Sequence, residues 1–225
     1  MKTYILLVIS LLSLQAFAQE IEIKIEEDFN EIKIFNKINA TLIPSTENKI
    51  IAKGVEKEEV EAKVHGNVLK IKSELDNIWS EDDTQVEIYY KSFEILDINE
   101  GAEVDASKII KQENLTVSAQ EGSRIALEIE VKNLKVKIYT GGSIYLYGKA
   151  DQQEVSIKAG GEYEGKELIT QSTNVKVSAG GDAEVNASES CNAKVSAGGS
   201  IYVYGNPSEL NQKTTFGGKI VKKEE

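Results

Sequence analysis

The chain is poor in the residues that staple, kink or catalyse. It has one cysteine, Cys191, one histidine, His65, one tryptophan, Trp79, one arginine, Arg124, and two prolines. A single cysteine excludes an internal disulfide. It leaves Cys191 as a bridge between chains or as a buried apolar side chain, and the second is the commoner state of a free cysteine. A single histidine excludes a histidine pair on zinc, and His65-Gly66-Asn67 reads as a hairpin turn. The patterns G-x-S-x-G, H-E-x-x-H and the P-loop are all missing. Arg124, in EGSRIAL, stands at a corner and reads as a solvated side chain rather than the base of a lyase. With scarce proline and no helical periodicity, short strands are unobstructed.

One positive residue, Lys2, precedes an apolar run from Tyr4 to Leu14, followed by Ala16-Phe17-Ala18. That order predicts a secretory signal over residues 1–18, cut after Ala18. The run is short for a bilayer span and no second one follows, so no transmembrane segment is expected. Export to the periplasm, the outer surface or the medium follows. Removing eighteen residues leaves 207, and losing Lys2 takes the formal charge from −11 to −12. Such an acidic chain is a poor partner for nucleic acid or anionic lipid. Its length suits one domain.

Glycine is the exception to the scarcity, with 17 residues, most of them in the second half. Five pairs recur, at Gly141-Gly142, Gly160-Gly161, Gly180-Gly181, Gly198-Gly199 and Gly217-Gly218, in steps of 19, 20, 18 and 19. Weaker echoes stand at Gly101 and Gly122, giving about seven repeats between residues 96 and 222. Residues alternate before each pair. Val136, Ile138 and Thr140 point one way, as do Val155, Ile157 and Ala159, then Val175, Val177 and Ala179, then Ala193, Val195 and Ala197. Lys135, Lys137, Lys158, Lys176, Ser178, Lys194 and Ser196 point the other way. After the pair, Ile144 and Leu146, Ala183 and Val185, and Ile201 and Val203 resume the pattern. Period two is the signature of a strand. The glycine pair therefore marks a corner between strands, where a residue without Cβ is at ease.

A nineteen-residue unit is too short for a βαβ module or a propeller blade, and it fits one coil of a stacked array. The predicted fold is all-β: a parallel β-helix, or β-solenoid, right-handed by the usual crossover rule. Seven coils at strand spacing make a rod of roughly 30 Å. Residues 19–95 lack the glycine pairs but still read as strands, as irregular opening coils or a cap. Residues 96–225 form the regular array, and the two parts make one continuous domain. In the last coil Gln212, Thr214 and Phe216 take the inward places, a polar end that discourages growth by edge pairing.

The order of pieces is distinctive: a signal peptide, FNEIKIFNKINATLI, YYKSFEILDINEGAEV, glycine-pair coils, YVYGNP and a final FGGKI. Together they resemble the head GIN domain family, adhesin heads common among exported Bacteroidetes proteins. The resemblance covers residues 29–220. It implies a right-handed β-helix without catalytic residues and a role in adhesion, and it carries over no functional residue. Gly-Gly stands here where the family often has Gly-Ser-Gly.

Candidate chemistry is sparse. Glu162, Asp182 and Glu184 lie near corners of adjacent coils, but a Ca²⁺ site needs several convergent oxygens, and scattered carboxylates are the plainer reading. The Ca²⁺-binding G-G-x-G-x-D repeat is absent. The wandering corner spacing disfavours the six-residue repeat of acyltransferase solenoids. No metal, cofactor or catalytic residue is expected. Tyr145, Tyr147, Tyr202 and Tyr204 all face outward by alternation, three coils apart, roughly 14 Å. Ser156, Glu164, Glu184 and Asn186 are expected on the coils between. Such a wall suits a sugar ring or a protein, although tyrosine also simply favours exposed strand positions. Trp79, beside the acidic stretch Ser80–Asp83, and Tyr89-Tyr90 read as packing of the cap.

The leading reading is a non-enzymatic exported protein that binds a glycan or a cell-surface protein. A carbohydrate-binding or carbohydrate-active protein, and a structural part of the envelope, are the alternatives. Each inward Val or Ile contributes about 1.5–3 kcal/mol on burial. Val177→Asp or Val195→Asp is therefore expected to abolish folding, checked by soluble yield and circular dichroism.

Overall fold

The computed structural model describes residues 20–73 and 84–224. The signal-sequence expectation, including the cut after Ala18, falls outside the described residues, as does Trp79 with the acidic stretch beside it. The opening strands are β1 (Ile21–Lys24), β2 (Glu31–Ile34), β3 (Asn39–Pro44), β4 (Lys49–Lys53), β5 (Val60–His65), β6 (Val68–Ser73), β7 (Gln85–Tyr90), β8 (Ile95–Ile98) and β9 (Glu103–Ala106). Longer strands follow: β10 (Ile110–Ala119), β11 (Arg124–Tyr139), β12 (Ser143–Lys158), β13 (Glu162–Ser178) and β14 (Asp182–Ser196). The chain closes with β15 (Ser200–Tyr204), β16 (Glu209–Thr215) and β17 (Lys219–Lys222). The result is a β-solenoid of about seven turns, with coils about 19 residues apart.

Each full coil has three faces. The first face leads into the glycine corner, and Val117, Val136, Val155, Val175 and Ala193 stack along its inner side. The second face leaves the corner, where Ile125, Ile144, Tyr163, Ala183 and Ile201 stack. The middle of each long strand forms a third face, where Ile129, Gly148 and Leu168 lie in register. The expected short strands after each corner are in fact continuous strands of 15–17 residues that bend through this third face. Register slips between Tyr145 and Gly148, Gly165 and Ile169, and Thr170 and Ser172 absorb the unequal coil lengths there.

The opening region joins the same stack. The strands β2, β8 and β6 pair in parallel on the first face, and β3, β9 and β7 on the second. Antiparallel β5 closes the first face through a hairpin in which His65 opposes Val68. Antiparallel β4 and then β1 close the second. At the other end, β16 pairs with β14, and β17 with β15, in parallel.

The corner differs from its sequence reading by one residue. Thr140, Ala159, Ala179 and Ala197 do not point inward. They take φ between 45° and 60° and are exposed, because the turn begins one residue before the glycine pair. Phe216, also expected inward, is the matching turn residue of the last coil, with φ 57° and 89% exposure. Two successive positive φ values define the tight turn that matches strand twist. In one such corner the Gly142 N–H donates to Tyr139 O at 3.0 Å. Gln212 and Thr214 do lie in register with Ala193 and Val195, but in the terminal coil they are exposed.

The second glycine of each pair is the inward one. A Cβ on Gly199 would sit 2.5 Å from Gly181 O and 2.7 Å from Val177 Cγ1, whereas one on Gly198 would meet nothing within 4 Å. The first glycine answers the turn's dihedral; the second answers the approach of the coil below and, at Gly181, Gly199 and Gly218, takes positive φ as well.

The core is mostly aliphatic, and one of its buried polar clusters centres on Tyr163. Tyr163, fully buried, accepts a hydrogen bond from Gln153 Nε2, and Thr173 Oγ1 donates to Gln153 Oε1 at 3.1 Å. The Thr170 and Thr173 hydroxyl oxygens lie 2.7 Å apart, and Thr170 donates to Asn186 O at 2.8 Å. Gly165 makes room for the ring, since a Cβ there would lie 2.6 Å from it. Burial pushes the Tyr163 phenol far up, so it stays neutral. Cys191 is buried in register with Thr173, and burial raises its thiol to about 11.

Gly198→Ala is expected to cost about 1–2 kcal/mol, the penalty of a left-handed alanine. Gly199→Ala adds a backbone clash and is expected to cost about 3 kcal/mol or more. Urea unfolding midpoints of the two variants check the order.

A candidate binding surface of tyrosines and carboxylates

The outward side of the second face carries the tyrosines. They alternate with Ile144, Leu146, Ile201 and Val203, all fully buried, so period two turns every tyrosine out. One column across the strands reads Ala126, Tyr145, Glu164, Glu184, Tyr202 and Val221. The next holds Glu128 beside Tyr147 and Asn186 beside Tyr204. All four tyrosines are half-buried. Ser156 does not lie between them. It sits on the first face of β12, in register with Lys137 and Lys176.

The two pairs are built differently. The Tyr145 and Tyr147 rings stack, with centroids 5.4 Å apart, and the Tyr145 hydroxyl donates to Glu167 Oε2 at 3.0 Å. Tyr202 lies under two ammonium groups, Lys219 at 5.2 Å and Lys223 at 4.9 Å from the ring centre. Tyr204 lies under Lys166 at 5.0 Å and donates to Glu184 Oε1 at 3.3 Å. Between the pairs, Glu162 opposes Asp182 and Glu164 opposes Glu184 on adjacent strands. These four carboxylates, with Tyr163 and Tyr202, line a shallow depression of about 200 Å³. No three potential metal ligands converge among the described residues.

A family model described as "Putative auto-transporter adhesin, head GIN domain" matches residues 28–207. The chain belongs to this family. Several solved structures share the fold. A Bacteroides fragilis protein titled a putative adhesin superposes with a TM-score of 0.82 at 19% identity, covering 91% of this chain and 97% of that one. A Parabacteroides distasonis protein titled a putative lipid binding protein gives 0.69 at 17%, covering 92% and 96%. A Parabacteroides merdae protein titled a putative adhesin gives 0.64 at 18%, covering 92% and 96%. No curated protein matches the sequence.

Two larger grooves lie beyond the tyrosine surface of this head GIN domain. One, of about 440 Å³, is floored by β3, β7 and β9 and holds Glu87, Glu103, Asp105 and Arg124. Arg124 is exposed there, beside Glu103 in register, while Glu87 is held by Lys53 and by the Tyr89 hydroxyl. The other, of about 480 Å³, follows the bend between the third and first faces. Its amides bond along the rod: Asn133 to Asn114 at 3.0 Å and, further along, Asn192 to Asn174 at 3.0 Å and Asn211 to Asn192 at 3.1 Å. Tyr90 packs on Phe93 in the cap as expected, but Tyr89 faces outward under Lys49 at 4.9 Å. Sequence reasoning missed the Tyr163 network. Its signal was present, since Tyr163 follows Gly161 as Ile144 follows Gly142.

The surroundings split the tyrosine hydroxyls. The Lys219 ammonium, then the Ser200 hydroxyl, hold Tyr202 below the ordinary phenol value. Burial first, then the Glu184 charge, push Tyr204 up, and burial with Glu167 does the same to Tyr145. Alkaline titration followed by phenolate absorbance is expected to show Tyr202 ionising before Tyr145 and Tyr204. Tyr202→Phe should remove that early step, and Lys219→Met should delay it.

Proposed function

We propose that this head GIN domain is a non-enzymatic, exported, adhesin-like protein that holds its partner on the outward second face. The family match and the adhesin neighbours support a surface-binding role. The signal sequence read at residues 1–18 supports export. The observation that carries the reading is the pairing of Tyr145 with Tyr147 and of Tyr202 with Tyr204 on one face, three strands apart. Tyrosine gives large, rigid contact area with a polar tip, suited to a sugar ring or a protein surface. A stiff rod presents both pairs at a fixed spacing of about 14 Å, so little ordering entropy opposes binding.

Mature protein is expected to bind intact cells or a member of a polysaccharide panel. The Tyr145→Ala, Tyr147→Ala, Tyr202→Ala, Tyr204→Ala variant, shown folded by circular dichroism, is expected to lose that binding by at least about tenfold, as expected for a site whose aromatic anchors are removed. Undiminished binding by the variant would refute the tyrosine surface. Turnover of a polysaccharide by purified protein would refute the non-enzymatic role.

A further inference from the structure

On β10 to β12, neighbouring rungs place opposite charges together. Lys111 meets Glu130 at 2.6 Å, Lys132 meets Glu113 at 2.8 Å, and Lys135 meets Glu154 at 3.2 Å. The tyrosine surface breaks that habit. Glu162 opposes Asp182, and Glu164 opposes Glu184, at about the 4.8 Å strand spacing. Like charges directly opposite each other cost stability. None of the four forms an ion pair among the described residues. The lysines nearest the patch lie over aromatic rings instead: Lys166 on Tyr204, and Lys219 and Lys223 on Tyr202. Asp182 adds only a smaller attraction to Lys219. The surface thus has two features that attract ammonium groups, aromatic faces and unpaired carboxylates, and the chain's own lysines occupy only the first.

The spacing selects among cations. Glu162 and Glu164 lie two residues apart on one strand, about 7 Å, and Asp182 and Glu184 repeat that interval on the next. An extended polypeptide presents alternate side chains at the same interval. We propose that the second face binds a lysine-rich extended segment of a protein partner. Its ammonium groups sit over Glu162, Glu164, Asp182 and Glu184, and its flanks pack on the two tyrosine pairs. This rests on the tyrosine surface being the binding face and adds the class of partner. The chain's net charge of −11 draws such a partner in from a distance.

The test measures binding of a fluorescent oligolysine peptide to the mature protein at low salt and at about 0.3 M salt, where screening is strong. The expected result is binding that salt weakens. The variant Glu162→Gln, Glu164→Gln, Asp182→Asn, Glu184→Gln keeps shape and removes charge, and should weaken it at least about tenfold at low salt. A control that neutralises four exposed carboxylates elsewhere, Glu26→Gln, Glu27→Gln, Glu58→Gln, Glu100→Gln, should change it by less than about twofold. Equal losses in both variants would mean attraction by net charge alone and would overturn the site. Absence of oligolysine binding, alongside tyrosine-dependent glycan binding, would overturn the cationic partner and leave the tyrosine surface standing. One further outcome also overturns it. Lys176, Lys194 and Lys213 form an exposed ladder on the first face of the rod. Salt-sensitive self-association in sedimentation, abolished by Lys176→Gln, Lys194→Gln, Lys213→Gln, would make the occupant a second copy of this chain.

Discussion

The stack of left-handed corners is the constraint on which the rest of the fold depends. Each glycine-pair corner turns the chain through two or three successive residues of positive φ, and its backbone bonds to a neighbouring coil. The Thr140 N–H donates to Lys158 O at 3.3 Å, Ala159 to Ser178 O at 3.2 Å, Ala179 to Ser196 O at 3.0 Å and Ala197 to Thr215 O at 3.0 Å. The second glycine then lets the next coil approach to contact. With corners aligned, inward side chains fall into columns and every strand finds its neighbour in register. Exposed polar edges survive only at the two ends, where antiparallel strands close one and a polar coil the other.

Within that frame the core tolerates the Tyr163 cluster because its members bond to one another. Tyr163, Gln153, Thr173 and Thr170 end on a backbone carbonyl, and no polar atom of the chain of bonds is left without a partner. The tyrosine replaces an aliphatic residue in its column, and Gly165 gives back the volume. Partial removal of such a network is costlier than its absence. A wall of four phenols and four carboxylates on the outside of the neighbouring coils therefore rests on a firm base.

Much of this was legible in sequence. Glycine spacing announces the coils, and period two announces which side chains face in and sets the tyrosines on the outside. The differences at the corners share one cause. Thr140, Ala159, Ala179, Ala197 and Phe216 continue the alternation on paper, and only the backbone dihedral reveals that the turn has begun. The first coil hides its corner altogether, since Asn36 and Lys37 take φ of 61° and 54° with no glycine present. The third face was invisible because it bends through bulges rather than through a marked turn. The pairing of Glu162 with Asp182, by contrast, is legible, since each directly follows its glycine pair.

The register slips have a consequence for how such a rod varies. The corners are a fixed datum: a residue added or lost there would displace every column beyond it. The third face already hosts coils separated by 18, 19 and 20 residues while the flanking sheets stay aligned. Length changes are thus cheap on that side and ruinous at the glycine edge. The molecule behaves like a bound book, with a rigid spine along which leaves of different width can be held without disturbing the order of the pages.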